Sequence, residues 1–289
     1  MIDKNAILNV FNETKTDMLK NQRIDPIEPS GPLVDKLKSV TFNELVLEAT
    51  NIVTFTGAGI STESGIPDFR SNNGIYQSGE FQGYNPQDIL SRKTFRENPK
   101  LFYSFYKHRL TGIIHKQPNK AHLALVELEK MGKIKWVVTQ NIDNLHQKAG
   151  SVNVLDLHGN GSKAHCISCS RKYTYEQFDD MLNSSDIARC DCGGKVRPTT
   201  VLFDESLNDE TYDTAYRVIN EADLLIVIGS SLSVQPAAGL VNRRNKNCTF
   251  VIINNTETVY DGAAQMVIRE SCGDVMDRAL VFCESYKKL

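Results

Sequence analysis

The sequence predicts an α/β fold: a doubly wound parallel sheet with a second, small module inserted into it. Three observations predict it. Short, β-rich, nearly all-apolar runs recur between residues 52 and 253. Amphipathic helical stretches alternate with them. The alternation breaks once, at 159–199, where four of the seven cysteines cluster. The predicted organisation is therefore an N-terminal extension and linker at 1–40, a sheet domain built from 41–158 and 200–289, and a small metal-binding module at 159–199.

The extension carries Ile7, Val10 and Phe11 on one face of a short helix, then Pro26, Pro29, Gly31 and Pro32, which break any regular element. The strands expected after it are 52–56, 136–139, 154–157, 224–228 and 250–253. Each is apolar on both faces, as parallel strands covered by helices must be. Between them, 119–131 places Ala121, Leu125 and Leu128 on one helical face and stops at Gly132. Residues 98–110 carry Phe102, Phe105, Tyr106 and Arg109 at helical spacing. His122, early in a helix, and His146, in a turn, read as structural.

The chain has 289 residues, 33 Lys+Arg against 35 Asp+Glu, and 40% apolar residues. A chain of this length buries roughly 75% of its unfolded surface and needs no disulfide support. Its charge balance argues against a dedicated nucleic-acid binder, which is usually basic overall. No apolar run approaches a bilayer's thickness, and no export signal is visible, so no membrane partner and a cytoplasmic location are expected, with the nucleus also open to it.

The first strand runs into Gly57-Ala58-Gly59-Ile60-Ser61-Thr62. A glycine turn that leaves a strand and opens a helix brings backbone N–H groups to a phosphate. The spacing departs from G-x-G-x-x-G, since Thr62 stands third and the next glycine is Gly65. A tight turn with no ligand accounts for it equally well. Gly229, Ser230 and Ser231 follow a later strand, and Asn254 follows the next; both places lie where ligands of open α/β sheets bind. Cys166-x-x-Cys169 followed by Cys190-x-Cys192 supplies four soft thiolates. Four protein ligands suit one tetrahedral structural Zn²⁺ and leave no open position for a reacting water. The neighbouring Lys163, Arg171, Lys172, Arg189, Lys195 and Arg197 read as a solvated basic face, with a nucleic-acid grip as the alternative.

The glycine turn continues as Glu63-Ser64-Gly65-Ile66-Pro67-Asp68-Phe69-Arg70. Thr139-Gln140-Asn141-Ile142-Asp143-Asn144-Leu145-His146 and Leu157-His158-Gly159 follow, then the cysteine pairs, Gly229-Ser230-Ser231-Leu232 before Pro236-Ala237, and Ile253-Asn254. In this order, over residues 43–283, the chain resembles the sirtuins, NAD-dependent protein-lysine deacylases. The resemblance implies a Rossmann-like NAD-binding domain with an inserted zinc-binding module, NAD as cofactor, and acylated lysine in proteins or peptides as substrate. The acyl-lysine oxygen would attack the nicotinamide ribose, nicotinamide would leave, and the acyl group would pass to ADP-ribose.

On this resemblance His158 is the general base and Asn141 acts beside it. Gln140, Asn141, Ile142 and Asp143 meet the ribose and nicotinamide. Asp68, Phe69 and Arg70 border the same site. Gly57, Ala58, Gly59 and Thr62 lie along the dinucleotide. Gly229, Ser230, Ser231, Asn254 and Cys272 serve its adenosine side, and Val201 and Phe203 lie along the substrate peptide. Taken singly, each has a plainer reading: a structural hydrogen bond for His158, a helix cap for Asn141 or Asp143, a core ring for Phe69, a surface ion pair for Arg70, a buried thiol for Cys272.

The sequence departs from the family at Asp204, where glycine is usual, at Asn144, again in place of glycine, and at Asn160, where serine is common. Tyr106 and Arg109 reproduce the Tyr-x-x-Arg spacing of sirtuins that remove succinyl or malonyl groups, and i and i+3 share a helical face. The loop between Arg70 and Asn98 resembles deacetylases instead. Mono-ADP-ribosyl transfer or NAD hydrolysis is the second enzymatic reading, and an inert zinc-ribbon interaction module is the non-enzymatic one.

Overall fold

The computed structural model describes residues 40–68 and 81–287; the extension at 1–39, and Phe69 and Arg70 of the signature, lie outside them. Six strands form one parallel sheet: β1 (Ile52–Thr56), β2 (Ile134–Thr139), β3 (Val154–Asp156), β7 (Leu224–Ile228), β8 (Thr249–Ile253) and β9 (Met266–Ile268). Their order is β3-β2-β1-β7-β8-β9. The chain therefore winds outward from β1 in one direction and from β7 in the other. The junction between β1 and β7 is the switch point, where a crevice opens beyond the carboxyl ends of the strands.

Every residue of β1, β7 and β8 is buried, because helices cover both faces. Ile52, Leu224, Ile226 and Val251 pack under α1 (Phe42–Glu48), α5 (Lys120–Lys130) and α9 (Cys272–Lys287). Val53, Phe55, Leu225 and Ile252 face the other way, toward α8 (Asp209–Glu221). The helix expected at 119–131 is α5, started by Asn119, whose side chain accepts from the backbone of Ala121 and His122. Gly132, just past its end, has φ +74°, the left-handed step that a helix stop requires.

The second unit is a three-stranded antiparallel sheet, β5-β4-β6, from β4 (Lys163–Cys166), β5 (Lys172–Thr174) and β6 (Val196–Pro198). It carries α7 (Tyr175–Ser184). Its core is not confined to 159–199. Three helices from the segment before β2 join it: α2 (Pro86–Ile89), α3 (Arg92–Glu97) and α4 (Pro99–Arg109). Ile89, Phe95, Phe102 and Phe105 from these helices share one cluster with Cys166, Phe178, Cys190 and Val196. The helix at 98–110 was legible as a helix. Its partner was not, because a helix's apolar stripe does not say which sheet it covers. Among the described residues no helix is long and apolar enough to cross a membrane.

Candidate active site and metal centre

The crevice is built where two backbone turns touch. Gly57 N–H donates to Ile228 O at 3.0 Å, and Gly59 N–H to Gly229 O at 2.7 Å. A Cβ on Gly57 would lie 2.8 Å from Gly229 O, and one on Gly59 2.7 Å from Gly229 Cα. Gly229 itself has φ +62°, and a Cβ there would lie 2.2 Å from Ile60 N. Glycine is needed at all three because the turn after β1 lies directly on the turn after β7. The segment after Gly57 is a 3-10 helix, Ala58–Ser64, and not a long α-helix. Its attraction for an anion rests on local N–H groups and not on an extended helix dipole. Thr62 turns its hydroxyl back onto Gly59 O at 2.9 Å.

The ends of β2 and β3 supply the polar side chains. Asn141 is buried; its Nδ2 donates to Gly57 O at 3.1 Å and Ser61 Oγ at 3.2 Å. Ser61 Oγ donates to Asp143 Oδ2 at 2.7 Å, and the Leu145 N–H to Oδ1 at 2.9 Å. The helix-cap reading of Asn141 or Asp143 does not hold: Asn144 is the N-cap of the short helix Leu145–Ala149, without a side-chain cap bond, and Asp143 lies one residue before it. Burial raises the Asp143 carboxyl above its ordinary range, against those two hydrogen bonds. Asn144 takes φ +65°, so asparagine supplies the left-handed step that glycine usually would. Ile142, half-buried, accepts the Gly161 N–H at 2.8 Å.

His158 follows β3. Its Nδ1 lies 2.9 Å from the carbonyl oxygen of Gln140. A carbonyl only accepts, so Nδ1 carries the ring proton and Nε2 keeps its lone pair. Burial lowers the imidazole's pKa, opposed in part by that hydrogen bond. The ring is therefore neutral at pH 7. Gln140 also accepts from Ser230 Oγ at 2.9 Å, while its own Nε2 is buried with no partner among the described residues. This orphaned buried amide, beside Ser230 at the switch point, is a donor that a ribose-bearing dinucleotide could satisfy.

The remaining predicted site residues are placed as follows. Ser231 is half-buried, with its hydroxyl 2.8 Å from that of Ser233. Asn254, at the end of β8, is turned onto Thr256 O at 2.8 Å. Cys272 opens α9 and is buried, its thiol pushed up to about 12 by burial and by nearby Glu63. Asp68 is half-buried. Val201 N–H donates to His158 O at 2.8 Å, and Phe203, exposed, exchanges backbone hydrogen bonds with Leu90 and Arg92. Buried Arg197 ties this segment down through Glu205, at 2.6 and 2.9 Å, and through Thr200 O.

Tyr106 and Arg109 do not meet around a common space. Tyr106 is buried against Phe102 and Phe178, its phenol pushed up by burial, and it borders a small space with Leu110, Ile113, Ile142 and Gly161. Arg109 is exposed and does not line that space.

In the small module the thiols of Cys166, Cys169, Cys190 and Cys192 all lie within 4.8 Å of one another, with two Sγ–Sγ pairs at 3.5 and 3.6 Å. A tetrahedron with Zn–S bonds of about 2.3 Å has edges of about 3.8 Å. Backbone N–H groups of Cys169 and Ser168 hold the Cys166 thiol below its usual value, which favours the thiolate that a metal needs. A Cβ on Gly194 would lie 2.7 Å from Cys166 Sγ, so the knuckle requires glycine there. The donor set fits one structural zinc. The basic face is largely engaged within the unit. Arg171 pairs with Asp191, Arg189 donates to Gly193 O, Lys195 lies over Phe95, and Arg197 is buried on Glu205. Lys163, Arg171, Lys172 and Arg189 remain exposed, as a solvated basic face would be.

Together these features define a class: an open parallel α/β protein with a switch-point crevice and a four-thiolate metal module. The chain belongs to the Sir2 family, whose pattern matches residues 57–236. It is 43% identical over 248 residues to an NAD-dependent protein deacetylase of Clostridium perfringens, covering 86% of this chain and 98% of that one. It is 45% identical over 241 residues to an NAD-dependent protein deacetylase of Sulfolobus acidocaldarius, covering 82% and 91%. Two solved structures share its fold. One is a Sir2 with a deacetylated p53 peptide and 3′-O-acetyl ADP ribose (TM-score 0.77, 40% identity, 83% of this chain and 96% of that one). The other is a Sir2 with a p53 peptide and NAD+ (TM-score 0.75, 38% identity, 86% and 98%).

Proposed function

We propose that this protein is an NAD-dependent protein-lysine deacetylase that moves the acyl group of an acyl-lysine peptide to ADP-ribose with consumption of one water, and with nicotinamide and free lysine as the other products. The observation that carries the reading is the imidazole of His158, fixed by Gln140 O with Nε2 left as an acceptor, at the switch point of a Sir2 fold. NAD, when bound, supplies the ADP-ribosyl acceptor and the nicotinamide leaving group.

His158 Nε2 takes the proton from a hydroxyl group presented in the crevice, and the Gln140 carbonyl holds the ring in the tautomer that can do so. Asn141 presents an amide without titrating, its side chain oriented by Gly57 O and Ser61 Oγ. Asp143 offers lone pairs to a carboxamide N–H. The turn Gly57–Gly59 and the rim at Gly229, Ser230, Ser231, Asn254 and Cys272 hold the dinucleotide. Val201 and Phe203 lie along the peptide, and the family resemblance assigns Asp68, Phe69 and Arg70 to the border of the nicotinamide site. The acyl group is a short uncharged one, since exposed Arg109 does not line the space around Tyr106. The reaction belongs to the cytoplasm, where the four thiols of the metal module stay reduced.

The test is mass spectrometry on peptides carrying acetyl-, succinyl- and long-chain acyl-lysine, with and without NAD. Acylated ADP-ribose is expected from the acetyl peptide. Labelled protein would instead mean ADP-ribosyl transfer, and free ADP-ribose without peptide would mean hydrolysis. His158→Ala should abolish deacylation while NAD still binds. The acid limb of kcat/KM should fall below pH 6.5, because burial holds the base's pKa down. Undiminished turnover in His158→Ala would remove its role.

A further inference from the structure

Asn141 is held from its backbone as well as from its side chain. Its N–H donates to Thr139 Oγ1 at 3.0 Å. The parallel register of β1 and β2 sets Thr56 opposite Thr139, and the Thr56 hydroxyl donates to the Thr139 hydroxyl at 2.8 Å. The imidazole Nε2 of His146, from α6 (Leu145–Ala149), lies 2.9 Å from the same Thr56 oxygen. Since the one hydroxyl proton of Thr56 is engaged with Thr139, the imidazole must be the donor, so Nε2 carries its proton.

His146, Thr56 and Thr139 are all fully buried, away from competing water. Behind His146 lies a second buried imidazole, His122, with ring centroids 4.9 Å apart. Its Nδ1 is 3.0 Å from Asn119 Oδ1, and Asn119 Nδ2 donates to Ile60 O and Ser64 Oγ. The polar line from α6 thus ends on Asn141, and its flank is anchored to the 3-10 turn beside Gly57.

We propose that His146 is a positioning residue for the reaction, acting through Thr56 and Thr139 to fix the backbone of Asn141 between Gln140 and Asp143. A buried line of donors and acceptors with each link at 2.8 to 3.0 Å leaves the Thr139 side chain one setting. Removing the imidazole or the Thr56 hydroxyl frees Thr139 to rotate, and Asn141 then loses its backbone anchor. The consequence for turnover rests on the deacylase reading above; the hydrogen-bonded line does not.

The test compares Thr56→Val, His146→Leu, His146→Gln and the double variant Thr56→Val/His146→Leu in the full chain. Amide hydrogen exchange at Asn141 reads the line without any turnover. It should accelerate about tenfold in Thr56→Val and in His146→Leu, and recover in His146→Gln, whose side chain still donates. With acetyl-lysine peptide and NAD, kcat should fall about tenfold in each single variant with the peptide KM unchanged. The double variant should fall no further than either single one, because both break the same line. Should His146→Leu not fold, Thr56→Val carries the same two expectations. Unchanged exchange at Asn141 in Thr56→Val would overturn the proposal. So would losses that multiply in the double variant, or a lower kcat that His146→Gln does not restore. An inactive wild-type chain would instead overturn the deacylase reading, with the exchange result still deciding the role of His146.

Discussion

His158 and Asp204 show how a single position is chosen by backbone and burial together. In the proposed reaction His158 can serve as a base because one ring nitrogen is tied to Gln140 O and burial lowers the pKa of the ring. Asp204 holds φ +67° in the turn that follows Val201 and Phe203. The family's glycine is used at this point for its conformation, and aspartate tolerates the same region. Two effects then oppose each other in Asp204→Gly: relief of residual strain, and about 0.4–1 kcal/mol of extra unfolded-state entropy. They nearly cancel, so denaturant melts should differ by less than about 0.5 kcal/mol. Asp204→Val, β-branched at positive φ, should lose about 1–2 kcal/mol in the same measurement. Equal stability of the two variants would show that the turn relaxes.

At the scale of the element, the four-thiolate knuckles and the helices around them stand or fall together. The module's sheet has strands of three and four residues, too short to hold a fold by themselves. Structural zinc contributes on the order of 10 kcal/mol, comparable to the whole stability of a domain. Cys166→Ser should therefore release zinc, read by elemental analysis. It should also melt the cluster of Phe95, Phe102 and Phe178 at a lower temperature than the main sheet. A Cys166→Ser protein that keeps its melting profile without metal would contradict a structural site. The cysteine spacing announced this centre in the sequence. The participation of α2, α3 and α4 in its core was not legible, since it depends on side chains such as Phe95, Phe102 and Phe105, distant in the chain, meeting Cys166 and Phe178.

For the whole molecule, buried titratable groups set the response to acid. Burial lowers the pKa values of His122, His146 and His158, that of His122 to about 4. The unfolded chain binds these protons first as pH falls through 6.5. Their stability contribution is thus complete above 6.5 and is lost toward the lower folded values, about 2 kcal/mol at pH 5 from His122 alone. Asp143 and Asp156 act oppositely. Burial raises both, so they favour the fold below the ordinary carboxylate range and lose that contribution as pH rises through their folded values. Urea titrations should show stability falling from pH 7 to pH 5, more gently than three imidazoles alone would give. A flat or rising profile would mean that the carboxylates dominate.

The sequence by itself determined the parallel α/β rhythm, the zinc ligands and the family. Apolar runs buried on both faces, thiolate spacing and an ordered set of signatures are local properties of the chain. Only the tertiary structure decided the rest: that Gly57, Gly59 and Gly229 are needed because two turns touch, that Gln140 sets the tautomer of His158, that exposed Arg109 does not line the space at Tyr106, and that His146 reaches Asn141 through two strands. Each of these is a contact between segments distant in the chain. Its distance and direction come from strand order and register, which no single stretch of sequence carries.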